Sequence, residues 1–192
     1  MNTERIGMKL TSVGPMLMNS SKLADPLDPE TIALAAVTSK RRKTLADHRR
    51  IADLEWFGKL WLHEGRPCLT TDALEAVFIA AAKTRGMGTM FTGALVADAP
   101  AVLHYEGPSD IKKLSKDPAF RLRKMVRVRK ALTPRTRPKF ENWNATFTVT
   151  FLVTVINREQ VLEYFRIAGS QIGVGDWRGK YGRFLVEEVP VK

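Results

Sequence analysis

The sequence has a single cysteine, Cys68, among its 192 residues. One thiol excludes an internal disulfide and fits a reducing compartment. Long apolar runs are missing as well. No stretch approaches the ~20 residues that cross a bilayer as a helix, and the opening MNTERIGMKL lacks an apolar core of signal-peptide length. The expectation is a cytoplasmic protein with no membrane partner. Histidine is scarce, at His48, His63 and His104. Of these and Cys68, only His63 and Cys68 have the spacing of a zinc half-site, and no second half exists, so no metal or other cofactor is expected. Catalytic signatures are equally thin. Cys68 stands just before a helix start and reads as a structural thiol, and His104 in AVLHYEG has no recognisable partner for a triad.

Acids are nearly absent from one region in particular. Ile111 to Lys139 holds twelve Lys/Arg and one acid, Asp117, while the rest of the chain is balanced, so the whole net charge of +11 sits there. Solubilising charge is normally mixed in sign, and a local excess of this size points to a polyanion, nucleic acid above all. The segment lacks the amphipathic helical stripe that a membrane surface would require. Length and an apolar fraction of 44% are those of one globular domain with an insertion.

What is present falls into a readable order. Arg5 to Asn19 alternates as a strand that breaks at Gly14-Pro15. Asp28-Pro29-Glu30 starts a helix to about Val37, and a second helix runs from about Lys43 to Trp61, where Leu54, Phe57 and Trp61 recur at helical spacing with Trp56 and Leu60 alongside and the aromatics read as core. Lys40 to Lys43 make a second basic patch in the joint between them. A third helix starts at Thr70 or Thr71. Thr89 to Ala97 and Ala101 to Tyr105 read as two strands turning at Asp98-Ala99-Pro100. In Leu122 to Ala131, Val126 and Val128 share one face and Arg127 and Arg129 the other, a strand with a cationic side suited to phosphates. Pro134 and Pro138 argue for a loop beside that track.

Asn144 to Ile156 is the clearest element, a central strand with Ala145, Phe147, Val149, Phe151, Val153 and Val155 on one face. Asn157 and Gln160 have capping-box spacing for a helix that ends at Gly169. The stretch GVGDWRGKYGRF, Gly173 to Phe184, then packs four glycines, three cations, a Trp and a Tyr ahead of a last strand. It is no dinucleotide loop: it leaves a helix instead of opening one, and Arg178 stands where a third glycine belongs. RGKYGRF echoes the RNP1 motif of RNA-recognition modules but lies on the wrong element. The predicted class is α+β, with a ferredoxin-like or RRM-type βαββαβ core at about 5–19 and 101–190 and a helical insertion at about 28–86 in a single domain.

The early strand broken at SVGPMLM, the long insertion, and the late helix followed by the glycine-rich loop and a short strand resemble the RAMP superfamily. The match is to the backbone subunits that coat guide RNA in CRISPR effector complexes, and small phage-encoded proteins are similar too. The resemblance covers roughly the first twenty and last fifty residues. It implies that Gly173, Gly175, Gly179 and Gly182 form a loop against a polynucleotide backbone. It also implies that copies stack head to tail and that a hairpin-like insertion can separate groups of bases. The aspartate with which some members cut RNA has no counterpart here, so hydrolysis is not implied.

Together these readings predict a non-catalytic, single-stranded RNA- or DNA-binding protein that oligomerises along its ligand, in the host cytoplasm if phage-encoded. Phosphate contacts are expected from Arg41, Arg42, Arg127, Arg129, Arg135, Arg137, Lys139, Arg178, Lys180 and Arg183, and stacking from Trp177 and Tyr181. Two alternatives stand beside it: a metal-independent RAMP-type endoribonuclease using His104 or His48, and a viral structural or inhibitory protein that binds an acidic partner.

Overall fold

The computed structural model describes residues 2–191. In chain order the elements are β1 (Thr3–Ser12), β2 (Met16–Leu17), α1 (Pro29–Thr38), α2 (Leu45–Lys59), β3 (Leu62–His63), β4 (Arg66–Leu69), α3 (Thr71–Lys83), α4 (Gly88–Phe91), β5 (Leu95–Ala97) and β6 (Ala101–Tyr105). They continue as α5 (Ile111–Lys116), β7 (Arg121–Val128), β8 (Ala131–Phe140), β9 (Trp143–Leu152), α6 (Arg158–Ile167) and β10 (Phe184–Val189). The fold is α+β, and no described helix is long and apolar enough to cross a membrane. The chain divides into two compact units. One comprises Leu62–Glu106 with the segments up to Met16 and from Glu141 onward, the other Leu17–Trp61 and Gly107–Phe140. This corrects the expectation of a helical insertion at about 28–86. Helix α3 belongs with the large sheet, because its Leu74, Val77, Phe78 and Ala81 are buried there, whereas α5 and the basic strands leave it.

The first unit is built on an antiparallel sheet in the order β10-β1-β9-β6-β4-β3, with β5 also on β9. Strand β9 is central because its sequence alternates: Ala145, Phe147, Val149 and Phe151 are buried, while Asn144, Thr146, Thr148 and Thr150 line the opposite, open face. The strand ends at Leu152, short of the expected Ile156. Helix α6 begins at Asn157, whose side chain accepts the Gln160 amide while Gln160 returns the bond. It buries Val161, Leu162 and Phe165, and Phe165 stacks on Phe147 and Phe78 with centroids 5.5 and 5.3 Å apart. Truncating such a ring to alanine costs about 3–5 kcal/mol.

Two sequence expectations fail in this unit. Thr89 belongs to the helical turn α4, so the strand starts only at Leu95. β5 and β6 also do not turn back on each other. Both run antiparallel to β9, Leu95 opposite Phe151 and Leu103 opposite Ala145, so the register slips by two residues across Asp98–Pro100. Pro100 has no amide to donate, and the Asp98 carboxylate holds the bulge through Thr150 Oγ1 at 2.7 Å and Arg5 Nη2 at 2.7 Å.

The second unit contains α1, α2, α5 and a three-stranded sheet, β2-β8-β7. Asp28 caps α1 with Pro29 at its first position, and Thr44 and Asp47 form a capping box on α2. Leu54, Trp56 and Leu60 of the α2 region are buried, and the Trp56 indole donates to the Phe120 carbonyl at 2.8 Å.

Here the expected proline loop is strand β8, central in its sheet, and the physical reason is the parity of its prolines. The Pro138 carbonyl accepts from the Met18 amide, so Pro134, Thr136 and Pro138 all turn their backbone groups away from β7. The two prolines have no amide to satisfy. The Thr136 amide donates 2.8 Å to the Glu55 carboxylate of α2. Neither proline therefore costs a ladder bond to β7.

Candidate nucleic-acid interface

Charge is divided unequally between the units. The second holds 20 of the 31 Lys/Arg and 8 of the 20 Asp/Glu, leaving 11 and 12 in the first. The cationic excess therefore belongs wholly to the unit that carries α1, α2 and the β7–β8 hairpin.

The hairpin is the main bearer. It closes through a two-residue turn at Arg129-Lys130 between Val128 and Ala131, with Arg129 at φ 54° in the left-handed region that few non-glycine residues adopt. From Arg123 to Leu132 nearly every residue is exposed, Val126 alone being half-buried. One face presents Arg123, Met125 and Arg127 with Leu132 and Pro134 opposite; the other presents Lys124, Val126 and Val128 with Arg135, Thr133 and Ala131 opposite. Cations thus occupy both faces and the tip, a correction to the single cationic face expected. Arg127 lies on a face with exposed Met125 and Leu132, and Arg129 is in the turn.

The base of this arm is clamped by α2. Arg121 donates to Asp53 at 2.7 Å and to the Ser115 carbonyl at 2.6 Å, and Arg135 donates to Glu55 at 2.7 Å. Glu55 is only 1% exposed, and both of its oxygens are engaged by β8. Arg135 is thereby committed to an internal pair. Arg137 is buried at 9% exposure and donates to the Thr136 carbonyl, and Lys139 is half-buried. These three expected phosphate ligands belong to the arm's base. The exposed Arg123, Lys124 and Lys130 were not singled out from sequence. No sequence signal marks them, since Arg129-Lys130 has none of the Asn, Asp or Gly residues that favour a two-residue hairpin turn.

Arg41 and Arg42 are exposed in the joint between α1 and α2, and Arg49 and Arg50 are exposed on α2. Their neighbours are structural. Lys40 pairs with Asp47 at 2.6 Å, and Lys43 donates to the Lys40 carbonyl at 2.7 Å. The Lys40 ammonium, followed by the Thr44 amide and hydroxyl, holds the Asp47 carboxyl down at about 2.

The glycine-rich loop lies in the first unit. It follows a π-helical turn at Ala168–Ile172 and folds back on itself: the Val174 amide donates to the Gly182 carbonyl at 2.9 Å, and the Gly182 amide to the Pro15 carbonyl at 2.8 Å. A side chain on Gly182 would strike the Val174 carbonyl, and one on Gly173 the Tyr181 carbonyl. Gly175 and Gly179 serve through conformation, at φ 94° and 87°. Trp177, at φ 49°, and Tyr181 are both half-buried, with centroids 6.0 Å apart, so these rings pack on each other. Lys180 stands 5.8 Å over the Tyr181 ring. Arg178, Lys180 and Arg183 are exposed, Arg183 tethered by its Nε to the Gly179 carbonyl and Arg178 lining a cleft of about 530 Å³ beside α3.

Candidates for other chemistry are dispersed. Cys68 is buried on β4, and burial pushes its thiol up to about 11. His63 lies on β3, His48 on α2 and His104, exposed, on β6. Among the described residues no three His, Cys, Asp or Glu side chains are grouped to hold a metal ion. Comparison of the chain with protein-family models and with curated proteins finds no match.

Proposed function

We propose that the protein binds single-stranded nucleic acid without acting on it chemically, and that it does so chiefly through the second unit. The observation that carries this reading is the charge division: a neutral sheet unit joined to one with 20 cations and 8 acids, whose hairpin exposes Arg123, Lys124, Arg127, Arg129 and Lys130 on two faces and a tip. Residues on one face of a strand recur about every 6.6–6.8 Å, close to the span of one nucleotide in an extended strand, so a hairpin can offer successive phosphates successive cations. Met125 and Leu132, 53% and 63% exposed, add apolar surface for bases or sugars.

The strand order β10-β1-β9-β6, with α3 and α6 between strands in sequence, supports reading the first unit as a ferredoxin-like βαββαβ core and keeps a RAMP relationship open to test. The open edges of β10 and β7 support assembly of copies along a ligand. Purification from the native host with measurement of ultraviolet absorbance tests the reading. Nucleic acid is expected to accompany the protein at low salt and to leave at high salt. A nucleic-acid-free preparation that also fails to shift any single-stranded oligonucleotide would overturn it.

A further inference from the structure

The open face of the large sheet ends in a cleft unlike the rest of the cationic chain. Across the register, His104 of β6 stands opposite Asn144 of β9, which stands opposite Thr11 of β1. Directly paired strand residues have Cβ atoms ~4.5–5.5 Å apart, so these three side chains form a continuous row. The row borders a cleft of about 570 Å³, which Glu106 and Asn142 also line. That is a ligand-sized space. No Lys or Arg lines it. Among the described residues, none of these five side chains makes an internal hydrogen bond or ion pair, in contrast to neighbouring Ser12, whose Oγ accepts the Trp143 amide at 3.0 Å.

We infer that this cleft holds a single unpaired nucleobase and selects adenine or cytosine, by the exocyclic amino group each carries, over uracil or thymine. The inference rests on the nucleic-acid reading above and names a specificity site for it. A phosphate is a poor occupant, because the cleft offers a carboxylate and no cation. A base edge is uncharged and rich in donors and acceptors. An amide such as Asn144 or Asn142 can both donate and accept, which matches the paired amino donor and ring-nitrogen acceptor of adenine, and Glu106 is an acceptor matched to the amino group of cytosine or adenine. Uracil and thymine present carbonyls where those bases present the amino group, and a carboxylate repels them. The 2′-hydroxyl has no part in this selection, so RNA and DNA are treated alike.

The test compares 20-mer homopolymers of A, C and U in RNA, and of A, C and T in DNA, by fluorescence anisotropy with the full chain. The wild type is expected to favour A or C over U or T by roughly tenfold or more. Glu106→Gln and, separately, Asn144→Ala are expected to bring that ratio towards one, with circular dichroism spectra matching the wild type. A wild type that binds all homopolymers equally, or variants that keep its preference, would overturn the inference and leave the nucleic-acid reading standing. Absence of binding to every homopolymer would overturn both.

Discussion

Glu55 of α2 accepts the Thr136 amide at 2.8 Å and the Arg135 guanidinium at 2.7 Å, and so stands in for the strand that β8 lacks along this part of its edge. The arrangement ties a helix carboxylate to the root of the basic arm, with Asp53 two residues earlier holding Arg121 on the neighbouring strand.

Removing the Glu55 carboxylate leaves a buried amide without an acceptor and Arg135 without its partner. Glu55→Ala is expected to destabilise the protein by about 3–5 kcal/mol, the usual cost of breaking a buried pair from one side. Arg135→Ala is expected to cost less, since Arg135 is a third exposed and the Thr136 amide still satisfies Glu55. Urea midpoints of the two single variants and the double variant measure the difference.

The glycines of the 173–182 loop divide into two kinds, and alanine separates them. At Gly179 a methyl group meets nothing within 4 Å, so Gly179→Ala is expected to cost only the left-handed conformation, about 1–2 kcal/mol. At Gly182 the same methyl group meets the Val174 carbonyl and the left-handed φ as well, so the loss is expected to be clearly larger. Thermal melts of the two variants, side by side, decide this.

The Lys40 ammonium holds the Asp47 carboxyl down at about 2 in the folded chain, below its ordinary value of 3.8. Because the folded state binds the proton less readily than the unfolded state, the stabilisation is present above the unfolded pKa and is lost as pH falls through about 2. Melting temperature is therefore expected to drop between about pH 4 and pH 2, and Asp47→Asn to show a shallower drop over the same interval.

The fold was legible where one strong local rule decided it. Strand β9 follows from its alternation, and α1, α2 and α6 follow from Asp28, Thr44 and Asn157 with their partners a few residues on. It was illegible where a distant residue reversed a local rule. Pro134 and Pro138 signal a loop in isolation, and only the Glu55 carboxylate, about 80 residues earlier in sequence, makes the intervening Thr136 tolerable in a strand. The bulge at Asp98–Pro100 likewise depends on Arg5 and Thr150. For the interface, the net charge located the region but not its exposed cations. Arg135 and Arg137 look like Arg127 in sequence, and the pairing of Arg135 with Glu55 and the burial of Arg137 are what separate them.

Glutamine at Arg123, Lys124, Arg127, Arg129 and Lys130 together removes the exposed charge of the arm and leaves the Asp53 and Glu55 clamps intact. The decisive measurement is the dependence of single-stranded oligonucleotide affinity on salt for this variant and the wild type. Each phosphate contact contributes a log–log slope of roughly −0.7, so the variant's slope is expected to be shallower by up to about 3.5. Equal slopes for the two proteins, or a wild-type affinity indifferent to salt, would contradict a nucleic-acid interface on the arm.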